Sequence, residues 1–438
     1  CYGSTINQTP HLERMAAEGM RFTDFYMSSP ICSPSRGSMM TGCYPPRIGF
    51  DTFRGPDGER RHAVLFPGFP DGMSTDEITV ADLLKQQGYA TKLVGKWHCG
   101  DQPEFLPTAH GFDSYFGIPY SNDMGIQASS PDGTPLPLME NETPIQLQPD
   151  QRSITERYVE HSVRFIRENR DEPFFLYLAH MHVHLPHYPP ERFLRQSING
   201  PYGAAVECID WAAGAILHEL KQQGLDDNTL VVFTSDNGSR GDQGGSNRPL
   251  RGRKGECWEG GMRVPCIARW PGRIEAGTRC GELATAMDFL PTFAALAGGE
   301  APGDRRIDGH DIRPLLFGEA GAATPYEAFF YYRTHELNGV RSGPWKLVVP
   351  AMEGPDGGLF NLVEDPGERR NVIAEHPDVA ERLKALLADC REDLGDSRTG
   401  AEGANRRPVG HVDSPEPLAY RDDDYPYIIA MYDLPDRG

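Results

Sequence analysis

No run of about 18 apolar residues occurs in the 438-residue chain, so no membrane-spanning helix is expected. Positive charge is scarce: 43 Lys and Arg stand against 63 Asp and Glu, a formal net charge of −20. A molecule this acidic is a poor general binder of nucleic acid or anionic membrane. An anionic substrate would need the cations gathered in one pocket. The nine cysteines contain no CxxC pair, and their number is odd. That argues against a zinc ribbon and a dense disulfide framework, and leaves one or two bridges open. Neither an initiator Met nor a signal peptide is visible, so the chain reads as trimmed at its front.

Punctuation, by contrast, is plentiful. With 48 Gly and 38 Pro, long and elaborate loops are expected. The length suggests one large domain plus a smaller one. Thr79 and Asp82 form a capping-box pattern that starts a helix, and Gly88 is placed to stop it. A short strand through 89–95 follows. Helical apolar spacing recurs at about 153–169 and 202–223, and two continuous apolar runs, 173–180 and 229–235, predict fully buried strands. Alternation of this kind predicts an α/β fold, with a large mainly parallel sheet flanked by helices. Beyond residue 325 the pattern changes to short antiparallel strands, with turns expected at Asn338-Gly339 and Ser342-Gly343-Pro344. A helix near 377–392 and a polar tail from 395, wrapping over the surface and carrying a solvated RDDDY run, complete the chain. The expected domains are 1–325 and 326–438.

Ligands of parallel sheets bind beyond the carboxyl ends of the strands. Three polar clusters sit there: GKWHCG with Lys96 and His98, HMHVHLPH with His180, His182, His184 and His187, and SDNG with Asp236 and Asn237. Each has an ordinary reading on its own, as loop lysine, structural histidine or Asx turn. Their convergence on one sheet edge points instead to a site. The hard oxygens of Asp236 and Asn237 suit Ca²⁺ or Mg²⁺ better than zinc, so the histidines read mainly as donors to an anion, some of them structural. Asn237-Gly238-Ser239 also fits a glycosylation sequon, as do Asn7-Gln8-Thr9 and Asn141-Glu142-Thr143. At a metal the first would be a false positive.

Residues 32–42, CSPSRGSMMTG, resemble the sulfatase signature Cys-x-Pro-Ser-Arg-x-x-x-Leu-Thr-Gly, with Met40 in place of Leu. Residues 88–100, GYATKLVGKWHCG, resemble the second signature of that family. The likeness continues through HGFDSYFG, PFFLYLAHMHVHLPH, FTSDNG, KGECWEGGMRVP and DGHDIRPLLFG, nearly the whole chain. On these residues the chain resembles the type I, formylglycine-dependent sulfatases, nearest the arylsulfatase A and N-acetylgalactosamine-6-sulfatase branches. The resemblance implies an alkaline-phosphatase-like fold. It implies that a formylglycine-generating maturation enzyme, reading Cys32-x-Pro34-x-Arg36, oxidises Cys32 to formylglycine (3-oxoalanine). Its hydrate would attack sulfur, forming a covalent sulfo-enzyme, and its second hydroxyl would then expel sulfate.

Roles follow from the same resemblance. Asp236, Asn237 and residue 32 would hold Ca²⁺ (or Mg²⁺), with Asp236 a possible acceptor of the attacking hydroxyl's proton. Arg36 would hold the diol, and His98 would take the proton from the second hydroxyl. Lys96, His184 and Lys254 would grip the sulfate oxygens, with His184 or Lys254 protonating the departing alcohol. His335 is a candidate sugar contact. The expected substrate is a sulfated sugar or aryl ester, and the expected setting is secreted, periplasmic or lysosomal. The alternatives are a phosphodiesterase or phosphonate monoester hydrolase of the same superfamily, or a non-catalytic binder. One departure stands out: the family's Asp-Asp metal pair, on its first strand, has no counterpart here. Poor metal binding and unpaired sheet edges are therefore expected of this chain, and a preceding segment of the natural protein.

Overall fold

The computed structural model describes residues 2–127 and 133–418. The elements that build the site begin with β1 (Met20–Phe22), α1 (Cys32–Thr41), α2 (Val80–Gln86), β2 (Ala90–Gly95), β3 (Ser114–Gly117), β4 (Pro137–Glu140) and β5 (Thr143–Leu147). They continue with α3 (Ile154–Glu168), β6 (Phe174–Ala179), α4 (Gly200–Gln222), β7 (Val231–Thr234), β8 (Cys266–Arg269) and β9 (Thr278–Cys280). The C-terminal part holds β10 (Phe329–Arg333), β11 (Glu336–Ser342), β12 (Trp345–Val348), β13 (Gly358–Asn361) and α5 (Pro377–Leu394).

The α/β class matches the expectation. The sheet is divided and mixed, however. One five-stranded sheet has the order β6-β2-β3-β4-β5, parallel through β6, β2 and β3 and antiparallel beyond. A four-stranded sheet, β7-β8-β1-β9, pairs only β1 and β9 in parallel. Strands β6 and β7 are therefore sheet edges. Although apolar throughout, they are half-buried rather than fully buried, because each lacks a neighbour on one side among the described residues.

Local signals are realised as physics requires. The Thr79 hydroxyl accepts from the Asp82 N–H while the Asp82 carboxylate accepts from Thr79, so α2 has its capping box, and Gly88 lies beyond it at φ 82°. Helix α1 is buried along its whole length, serines and Arg36 included. Met39 and Met40 enter the main core, so the Met at the signature's Leu position keeps its packing role. Gly42 ends α1 in the left-handed region at φ 69°.

In the C-terminal part, β10 to β13 form an antiparallel sheet packed on α5. Its core is continuous with Tyr26, Tyr44, Cys257, Met262 and Met287 of the preceding chain. The expected turn at Asn338-Gly339 is displaced. Those residues lie inside β11, and the hairpin turns instead at Thr334-His335, between the paired Arg333 and Glu336. Packing of the sheet face sets that register, and turn propensity yields to it. The Gly343-Pro344 turn is where expected. The tail up to 418 does wrap back: residues Gly410–His411 pair with Asp71–Gly72. The RDDDY run lies outside the described residues. No disulfide forms among those described; the eight cysteines there are free and buried.

Candidate active site

Cys32 is the first residue of α1, 3 % exposed, where the unpaired N–H groups of a helix start gather. Burial raises its thiol pKa, but Lys96 and Lys254, with His184, outweigh burial and Asp236 and hold it below the ordinary value. Arg36 lies one turn on, facing the same side. Its Nε donates to Asp236 Oδ2 at 2.9 Å and its Nη1 to the Lys96 carbonyl at 2.6 Å. Ser35 donates to the Asp236 backbone carbonyl at 2.5 Å. Helix α1 is thus tied to the segments that follow β2 and β7.

Lys96 follows β2 and is 2 % exposed, an exceptional burial for a lysine. Burial dominates its pKa and lowers it, against the pull of Cys32 and Asp236. Its Nζ lies 3.2 Å from Ser121 Oγ. The carboxyl ends of β2 and β6 lie tight against each other. A Cβ on Gly95, at φ 119°, would stand 1.9 Å from the Ala179 carbonyl oxygen. His98 is held at φ 65°, rare for a residue with a side chain. Its Nε2 faces the Leu65 carbonyl at 3.0 Å and must donate to it. The lone pair is then on Nδ1, which is buried without a partner. Burial first, then Lys96 and Arg36, hold His98 well below the usual histidine range, so it is a neutral base.

Of the four histidines after β6, one joins this group. His184 Nδ1 donates to the Leu185 carbonyl at 2.7 Å and lies 3.3 Å from Ser121 Oγ. With the proton on Nδ1, the lone pair of the neutral ring is on Nε2. Burial, Lys96 and Lys254 push its pKa down to about 4, against Asp123 and Cys32. His182 is buried and His180 half-buried, and both are neutral, each pushed to about 4 chiefly by desolvation. His187 Nε2 meets the Val183 carbonyl at 3.2 Å. None of these three has a contact with Cys32, Lys96 or Asp236 among the described interactions.

Asp236 follows β7, in the other sheet, so the clusters converge from two sheets rather than from one edge. Burial alone would raise its carboxyl pKa, but Arg36, then Lys96 and Lys254, keep it well below the carboxylate range. Asn237 is buried; its Nδ2 donates to the Gly238 carbonyl and its Oδ1 has no partner. Lys254 arrives on a loop clasped by Asn247, whose side chain accepts from the Ser239 N–H at 2.8 Å and donates to the carbonyls of Ser239 and Gly252. The Lys254 N–H donates to Ser239 O at 2.9 Å, and the Gly255 N–H to Pro30 O at 2.9 Å. The Lys254 charge acts on Cys32, Lys96, His98, His184 and Asp236 alike.

Of the nine sequence-predicted residues, Arg36, Lys96, His98, His184, Asp236 and Lys254 thus gather with Cys32, and Asn237 is next to Asp236 in the chain. His335 does not join them. It sits in the β10–β11 turn with Nδ1 on Asp51 and Nε2 2.9 Å from Arg406 Nη1, so both ring nitrogens are taken by the protein. Sequence reasoning passed over Ser121 and Asn247. Ser121 was findable: it lies just beyond β3, which runs parallel to β2. Asn247 carries no signal, because its role depends on a loop closure that spacing does not reveal.

A hard cation fits the donors in kind. Asn237 Oδ1 is a buried, unpaired acceptor, and Asp236 is held ionised beside it in sequence. Among the described residues no cluster of three His, Cys, Asp or Glu is placed to hold a metal. Two protein oxygens fall short of the six to eight that Ca²⁺ usually takes, roughly.

A family model described as Sulfatase matches residues 1–299, and one described as N-sulphoglucosamine sulphohydrolase, C-terminal, matches residues 254–393. Human (Homo sapiens) arylsulfatase A is 36 % identical over 438 residues, covering 88 % of this chain and 83 % of that protein. N-acetylgalactosamine-6-sulfatase of Rattus norvegicus is 40 % identical over 358 residues, 79 % of this chain and 67 % of that protein. The crystal structure of PsFucS1 sulfatase from Pseudoalteromonas sp. superposes with a TM-score of 0.76 at 26 % identity, covering 88 % of this chain and 86 % of that one.

Proposed function

We propose, on the premise that the chain belongs to the sulfatase family and is a sulfate-ester hydrolase of alkaline-phosphatase-like fold, that it cleaves sulfate from a sulfated sugar of the galactose type. The reading rests above all on the three cations Arg36, Lys96 and Lys254 acting on one buried position, 32, in a molecule of net charge −20. A sulfate ester is a permanent anion and needs fixed positive charge that costs no reorganisation. The sugar assignment draws on kinship with N-acetylgalactosamine-6-sulfatase. Aryl sulfates would then be artificial substrates.

Formylglycine at position 32, made by a maturation enzyme, would supply a hydrated aldehyde, with one hydroxyl to take the sulfuryl group and a second to release it. Asp236 and Asn237 would hold Ca²⁺, which supplies charge neutralisation at the sulfate. Lys96 and Lys254 bind the sulfate oxygens, with Ser121 orienting Lys96 and His184. Arg36 fixes residue 32 against Asp236. His98 Nδ1 takes a proton at residue 32. His184, protonated at Nε2, gives one to the departing alcohol. Kinship further supports a secreted, periplasmic or lysosomal setting.

Sulfate release from a 6-sulfated galactosamine by the matured protein tests this reading; dominant turnover of a phosphodiester would overturn it. Intact mass reports the state of Cys32. The pH profile has a definite sign. His184 must be protonated to donate, and in the free enzyme its pKa is pushed down to about 4. The kcat/KM value therefore falls as pH climbs above that value, while His98 stays neutral. Bound sulfate adds a negative charge beside His184 and raises its pKa, so kcat persists to higher pH than kcat/KM. Coincident limbs in the two profiles would count against His184 as donor.

A further inference from the structure

One carboxylate beside the site has no part in these steps beyond its pull on the His184 proton. Asp123 lies in the turn Asn122–Met124, two residues after Ser121, and its Oδ1 is 3.8 Å from His184 Nδ1. Its side chain is 46 % exposed. His184 is its one ion-pair contact among the described residues, and that imidazole is neutral at pH 7 in the free protein. Asp236, the carboxylate of the pocket, is neutralised by Arg36 at 2.9 Å. In the free protein a carboxylate with no charged partner among the described residues therefore stands beside the His184 ring, on its Nδ1 side. For sulfate binding alone it is a liability.

We propose that Asp123 is a specificity-determining residue, which accepts a hydrogen bond from a free hydroxyl of the sugar beside its sulfate ester and repels a second anionic group at that place. The inference deepens the sulfatase reading of the site and rests on it. A carboxylate is acceptor-only and matches a hydroxyl donor. Against a neighbouring sulfate or carboxylate it is both a like charge and an acceptor without a donor, and repulsion of that kind is how binding sites exclude near relatives of their substrate. The substrate class is then a singly sulfated sugar with an adjacent free hydroxyl, in preference to its disulfated counterpart.

The test measures kcat/KM of matured wild type, Asp123→Asn and Asp123→Glu on three esters: a singly sulfated hexosamine, the same sugar with a second sulfate, and a plain aryl sulfate. The aryl ester carries neither hydroxyl nor second charge, so it registers any effect passing through His184 or through folding. The mono- to disulfated preference should drop roughly tenfold in Asp123→Asn after correction by the aryl rate, and return in Asp123→Glu. Wild type that hydrolyses all three esters with a preference unmoved within about twofold by Asp123→Asn overturns this inference alone. Wild type inert to all three overturns the sulfatase reading, and this inference with it.

Discussion

Cys32→Ala abolishes sulfate release, lowering kcat by about 10⁴-fold or more, as loss of a nucleophile does. The fold survives: truncating this one small buried side chain costs about 1 kcal/mol. The reason for so unequal an effect is positional. Arg36, Lys96 and Asp236 are fixed by bonds to one another, to Ser35 and to Ser121, and Lys254 is held through its N–H on Ser239 O; none of these passes through Sγ. The variant should therefore keep its pocket and bind sulfate while turning nothing over. Cys32→Ser is the sharper experiment. A serine hydroxyl has the oxygen to accept one sulfuryl group but no second hydroxyl to release it. The protein should stop after at most one turnover, with intact mass raised by one sulfuryl group. Sustained turnover by either variant would sink the assignment of residue 32.

Lys346→Met should destabilise the protein by about 3–5 kcal/mol, the penalty for stranding buried charge. Lys346 is fully buried with Glu259 and Glu368; its Nζ lies 3.1 Å from Glu259 and 2.6 Å from Glu368, and donates to the Cys257 carbonyl at 2.9 Å. Burial would raise both acids, yet Lys346, Arg341 and Arg263 hold Glu259 down at about 2. Glu368, for which burial wins, is pushed up to about 7. One ammonium thus serves two carboxylates at the junction of the C-terminal sheet and the loop that carries Lys254. Without it at least one acid must be protonated in the fold. A raised folded pKa gives stability that is present below the unfolded pKa and lost as pH rises through the folded one. The deficit in Lys346→Met should accordingly be smaller near about pH 5 than near about pH 8, and adding Glu368→Gln should recover part of it. Chemical denaturation at both pH values is the check; a variant within about 1 kcal/mol of wild type at each would show the cluster to be dispensable.

Much of this site is written in short stretches of chain. The signature through Cys32 and Arg36 lies within a single helix, so i, i+4 spacing brings both to one side. Lys96 and His98, His184, and Asp236 with Asn237 each follow an apolar strand, and the ends of strands are where sheets present loops. The Thr79 capping box and the Gly343-Pro344 turn were legible for the same reason: their partners are a few residues away. The errors fall where partners are distant. Strands β6 and β7 read as fully buried because apolar runs report composition, whereas burial depends on having a neighbour on each side. Asn338-Gly339 reads as a turn, but the faces of β10 and β12 recruit it into β11. For His335, nothing in the sequence hints that Asp51, far away along the chain, holds its Nδ1.

By itself, then, the sequence determined the chemistry: which functional groups exist, on which local element each sits, and that an acidic chain must concentrate its few useful cations. Tertiary structure alone decided their states. Whether a histidine is a base or a strut, whether a carboxylate is compensated, and whether a lysine faces one partner or two depend on burial and on charges brought near by chain closure. Those energies scale with distance and dielectric, neither of which is a property of residue order.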